Sequence, residues 1–133
     1  MNWIAVIVAA VAAMAVGFVW YHQKVFGAAW MKSAGLSMDD TKEANMGKIF
    51  SISLLMCVIV SIYFARTMGY HDMEYMTIKH GIFHGLEAFG YTVLPVIVTN
   101  AMYEKRNWTY IATTSGYWAI AFCVIASIHS VWR

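Results

Sequence analysis

The chain has 133 residues, of which 61% are hydrophobic and 12% charged, and its formal net charge is +2. That much apolar surface exceeds what a water-soluble globule of this size buries, so a lipid bilayer is the expected solvent for the remainder. The scattered Lys and Arg residues form no basic cluster interleaved with aromatics, which argues against nucleic acid as a partner.

The first apolar run, residues 3–21, has about the 19 residues that a helix needs to cross roughly 30 Å of hydrocarbon. Trp20 and Tyr21 close it with rings suited to the headgroup boundary. A cleaved signal peptide would need a basic stretch ahead of the run, whereas only Met1 and Asn2 precede Trp3; a retained helix is expected. Residues 22–48 are polar and include a short amphipathic, aromatic-rich piece at 25–32, which is expected to lie along the membrane surface. Ser37 followed by Asp40 resembles a helix start, because a Ser oxygen can accept from free backbone N–H groups while an acid meets the positive helix end.

A second helix is expected over about 47–66, then a loop at 67–77 that carries His71, Asp72 and Glu74 with Met68, Met73 and Met76. The third helix, about 78–103, contains Pro95, whose missing backbone donor should kink it. After a tight turn at 104–108, a fourth helix runs over about 110–131. Both cysteines, Cys57 and Cys123, fall within apolar runs and read as packed thiols.

Basic residues near helix ends resist translocation. The first and third loops hold Lys24, Lys32, Lys42, Lys48, Lys105 and Arg106, against Arg66, Lys79 and Arg133 on the other side. This asymmetry places both termini outside, which in a bacterial inner membrane is the periplasm.

Helices in lipid associate through close backbone approach, for which small residues at four-residue spacing are the signature. Ala5, Ala9, Ala13 and Gly17 follow that spacing on the first helix, and Gly81, Gly85, Ala88 and Thr92 make a similar strip on the third. These two seams could join helices of one chain or copies of it.

The third helix holds a carboxylate inside an apolar run, Glu87, which is costly at that depth. His80, His84, Glu87 and Tyr91 are spaced by four, three and four, forming one polar stripe, with Asn100 further along. The stripe reads first as a hydrogen-bond network that sets helix register, with Ser61, Thr113 or Asn100 as partners across the bundle. It also fits an ion or proton relay, a polar pocket for a small solute, or a metal site made by His80, His84 and Glu87. Two His at i and i+4 can share zinc or copper, and the loop methionines offer thioethers suited to cuprous ion. His71, His80, His84 and His129 would all lie toward the outer face, with Asp72 and Glu74 close by, so imidazoles could converge there, whereas His22 is on the other side and reads as an interfacial residue beside Tyr21. No nucleophile elbow, phosphate loop or Cys-x-x-Cys pair is present to suggest hydrolase, nucleotidase or thiol-redox chemistry.

The ordered set Met1-Asn2-Trp3, Gly17-Phe18-Val19-Trp20-Tyr21, Phe26-Gly27, Trp30-Met31-Lys32 and Asn45-Met46 resembles the opening of a bacterial family, domain of unknown function 1761. His84-Gly85, Asn100 with Glu104 and Arg106, and Gly116-Tyr117-Trp118 extend the resemblance over nearly the whole chain. It implies a small four-helix membrane protein with no assigned activity; the Met-rich loop and His80 depart from the family pattern.

The sequence thus predicts one transmembrane domain, residues 1–133, of all-α four-helix architecture. It is expected to be non-enzymatic, and either self-associated or an accessory subunit of a larger membrane complex. A permeation unit and a periplasm-facing copper or zinc binder are the alternatives.

Overall fold

The computed structural model describes residues 1–133 as an all-helical bundle with four helices long and apolar enough to cross a membrane. Helix α1 (Trp3–Trp20) begins where the Asn2 side chain accepts from the backbone N–H groups of Ile4 and Ala5. After Tyr21 a single π turn, Gln23–Gly27, leads into α2 (Ala28–Ala34), which stops at Gly35 in the left-handed conformation. Gly27 is required sterically, since a Cβ there would lie 2.1 Å from the Tyr21 carbonyl oxygen. Helix α3 (Met38–Glu43) has the capping box expected from its sequence: Ser37 Oγ accepts from the Asp40 N–H, and the Asp40 carboxylate accepts from the Ser37 N–H.

Helix α4 (Met46–Thr67) starts at an Asn45 cap and passes into 3-10 turns at Met68–Tyr70 and Met73–Tyr75. The third crossing is built from α5 (Ile78–Ala88), a π turn (Phe89–Val93) and α6 (Leu94–Tyr103). Pro95 sits in the first turn of α6, and the defect takes the form of the widened turn just before it, where the Leu94 N–H reaches back to the Phe89 carbonyl. Helix α7 (Trp108–Val131) starts two residues earlier than its apolar run suggests, because Asn107 caps it by accepting from the Tyr110 N–H.

Both small-residue seams are used within the chain, except at Thr92, which is exposed with its hydroxyl on the Ala88 carbonyl of its own helix. Ala5, Ala9 and Ala13 are fully buried on α1, which packs against α4 and α7. A Cβ added at Gly17 would come within 3.2 Å of the Tyr117 ring. On α5 the approach to α7 is closer: a Cβ at Gly81 would lie 2.4 Å from Ser127 Cα, and one at Gly85 would lie 2.7 Å from Cys123 Cα. Ala88 is half-buried beside the core. Helix α7 is therefore central, touching every other crossing, while the outward faces of the bundle remain apolar and exposed. Exposed apolar surface on this scale is abnormal for a soluble monomer and normal for a lateral face in lipid.

Buried polar groups tie the crossings together. Ser61 Oγ donates to the Val6 carbonyl at 2.9 Å and lies 2.8 Å from His129 Nε2. Trp20 Nε1 donates to the Thr113 carbonyl, and Ser130 Oγ to that of Thr77. At one end of the bundle, Arg106 donates to the Ala34 carbonyl, joining the first and third loops. At the other end, Asn2 donates to the Arg133 carbonyl, and Arg133 Nη2 donates to the carbonyls of Met68 and His71. Both termini and the second loop thus share one end.

Candidate metal centre

Three histidines meet at that shared end. His80 and His84 lie one turn apart on α5, whose start is set by the Thr77 side chain accepting from the His80 N–H. His71 follows directly on the 3-10 turn that ends α4, and the loop returns it over the first turns of α5. The ring centroids form a nearly equilateral triangle: 4.7 Å from His71 to His80, 4.7 Å from His71 to His84 and 4.4 Å from His80 to His84. One ligand nitrogen from each ring lies within 4.8 Å of the other two. Tetrahedral zinc with Zn–N bonds of about 2.0–2.1 Å separates its nitrogens by about 3.3 Å, so side-chain rotation of about 1.5 Å closes the widest gap.

The nitrogens are differentiated. His84 Nδ1 lies 3.0 Å from Glu87 Oε2, which assigns Nδ1 as the protonated nitrogen facing a carboxylate and leaves Nε2 free as a ligand. His80 Nε2 is buried and lacks a hydrogen-bond partner. Such an orphaned atom carries a desolvation cost unless something coordinates it. All three rings are half-buried, so the cluster is neither exposed to bulk water nor sealed in the core.

The polar stripe stays together as far as Tyr91: His80 and His84 join His71 in the triangle, with Glu87 behind His84, and Tyr91, 82% exposed, lies on the same side, while Asn100 is exposed further along α6. The cross-bundle partners considered for Glu87 are engaged elsewhere: Ser61 with His129 and Val6, and Thr113 with the carbonyls of Thr109 and Tyr110. A cavity of about 230 Å³ adjoins the triangle, lined by Thr67, Met68, His71, His84, Glu87 and Tyr91 among others. His129 is buried behind Ser61, apart from the triangle. His22 caps the π turn at the opposite end by accepting from the Lys24 N–H. Of the loop methionines, Met68 is buried, Met73 projects outward, and the Met76 sulfur lies 2.8 Å from Arg133 Nη2.

Helical spacing pairs His80 with His84, and the shared outer face brings His71 into reach as the topology suggests, while His129 stays out of the group and the Arg133 anchor of His71 has no local signal. The family model described as protein of unknown function, DUF1761, matches residues 4–130. No curated protein and no solved structure matches the chain.

Proposed function

Because the chain belongs to the DUF1761 family, whose description assigns no activity, we propose a function from its own geometry: a membrane-embedded binder of one transition-metal ion, zinc before copper, held by His71, His80 and His84. The observation that carries this reading is the triangle of imidazoles, all ligand nitrogens within 4.8 Å. Unprotonated imidazole suits zinc and divalent copper, and the Glu87–His84 pair is the carboxylate–histidine arrangement that orients a metal-ligating ring. Glu87, grouped with the ligands on spacing alone, supports the site from behind.

The proposal is one of binding rather than turnover. Three ligands leave one coordination position, but the adjoining cavity of about 230 Å³ is below the roughly 300–1,000 Å³ of most small-molecule sites. The asymmetry of basic residues supports a periplasmic location for this end in an inner membrane. Chelator competition on the purified full chain in detergent tests the reading, with zinc chloride and cupric chloride as probes. One equivalent is expected for the native chain and His22→Ala, and none for His80→Ala/His84→Ala. A double variant that keeps its equivalent overturns the proposal.

A specific feature favours self-association or a partner subunit as well. Glu87, Tyr91, Thr92 and Asn100 are exposed on the outward face of a membrane-crossing segment. Polar side chains at that depth are costly against lipid, and a second copy or subunit that covers them removes the cost. Mass measurement in native-like nanodiscs tests the self-association, and a strictly monomeric chain refutes it.

A further inference from the structure

At the end of the bundle opposite the histidines, the segment between α1 and α4 covers a half-open cavity of about 540 Å³, within the usual range of small-ligand pockets. It lies beneath the fold of α2 and α3, between the end of α1 and the start of α4, where a transmembrane reading puts the headgroup boundary. Its wall is aromatic. Phe18 and Phe50 meet edge to face at 5.1 Å, and Tyr21 makes a T-shaped contact with Trp30 at 5.3 Å while lying 5.5 Å from Tyr117. Asp40 contributes the only formal charge among the lining residues.

The carboxylate at this site stays ionised. The Ser37 N–H at 2.7 Å and the Ser37 hydroxyl at 2.8 Å both donate to it, drawing its pKa below the ordinary carboxylate value. Tyr21, raised to about 12 chiefly by burial, remains a neutral phenol through the physiological range. The pocket therefore offers one anion and several ring faces. Aromatic faces carry negative quadrupoles that attract cations, and an apolar volume of this size accepts hydrophobic bulk.

We propose that this pocket binds hydrophobic organic cations, with the aromatic walls holding the apolar body and Asp40 facing the positive charge. A hydrophobic anion of the same shape is rejected, because its charge meets both the carboxylate and the negative ring faces. The site is distinct from the histidine triangle and does not depend on a metal there.

The test uses the full chain in nanodiscs of zwitterionic lipid, with tetraphenylphosphonium as probe and tetraphenylborate as its anionic match. Saturable binding of one phosphonium per chain is expected, with no saturable binding of the borate above the lipid background. Asp40 is solvent-exposed and its charge partly screened, so Asp40→Asn should weaken phosphonium binding about fivefold. Ser37→Ala loses the helix cap but keeps the carboxylate, and should weaken binding less than threefold, which separates lost charge from lost α3 structure. Trp30→Leu should weaken it severalfold without affecting zinc at the other end. Equal binding of both probes, native affinity in Asp40→Asn, or no saturable phosphonium binding each overturns the proposal.

Discussion

His84 Nδ1 and Glu87 Oε2 lie 3.0 Å apart across one turn of α5, so the ring that completes the histidine triangle is oriented by its own helix. Supporting carboxylates of this kind raise ligand basicity, and their loss commonly lowers metal affinity by about 10–100-fold. Glu87→Gln keeps an acceptor for the Nδ1 proton but loses the charge, while Glu87→Ala loses both. Zinc affinity should therefore fall by about tenfold in the first and further in the second, with one equivalent still bound at saturating zinc. Chelator competition gives both values, and a loss of stoichiometry in Glu87→Gln would instead make Glu87 a direct ligand.

Arg133 should act on the same site through His71. Its guanidinium donates to the carbonyls of Met68 and His71, fixing the segment that delivers the third imidazole. Hydrogen bonds to charged groups contribute about 1.5–3 kcal/mol each when well shielded, and partial exposure here lowers that figure. Arg133→Ala is expected to reduce zinc affinity about tenfold in the native background but to add little in His71→Ala. That non-additivity in a double-mutant cycle is the signature of a residue acting through another. Independent, additive losses would show that Arg133 does not work through His71.

What the sequence made legible follows from which forces are local. Hydrocarbon length, interfacial aromatics and small-residue spacing are written in consecutive residues, so the four crossings and both packing seams could be read directly, as could the Ser37–Asp40 cap. Helix starts at Asn45 and Asn107 were shifted by a residue or two, because the apolar run marks the hydrocarbon while the cap marks the helix. The triangle was legible as a group of histidines on one face, since period pairs His80 with His84 and topology puts His71 and His129 on the same side. Which of them meet was not, because His71 is placed by 3-10 turns and a residue 62 positions away while His129 turns to Ser61.

Packing between α5 and α7 should be the part of the bundle most sensitive to volume. A methyl at Gly81 would meet the Ser127 backbone at 2.4 Å and one at Gly85 the Cys123 backbone at 2.7 Å, and backbone cannot rotate aside as a side chain can. Overpacking typically costs about 1–3 kcal/mol, and helix separation sets the upper end of that range here. Gly81→Ala and Gly85→Ala should each lower the midpoint of thermal unfolding in detergent by several degrees. Gly90→Ala, with nothing within 4 Å of the added atom, should leave it nearly unchanged. Equal midpoints for all three variants would mean that α5 and α7 are not packed in backbone contact.

The α3 capping box supplies a pH dependence whose sign can be worked out. In the folded loop the Ser37 N–H and hydroxyl favour the charged Asp40 carboxylate, so its pKa lies below the ordinary 3.8 it would recover if α3 unravelled. A depressed folded value means the contribution to α3 is complete above the ordinary value and is lost as pH falls through the folded one. The Ser37 amide proton, which donates to that carboxylate at 2.7 Å, should shift upfield on acidification with a midpoint below 3.8, and α3 should fray over the same interval. In Asp40→Asn the amide should no longer titrate. A wild-type midpoint at or above the ordinary carboxylate value would show that the Ser37 donors do not favour the charged form, while leaving Asp40 ionised at neutral pH.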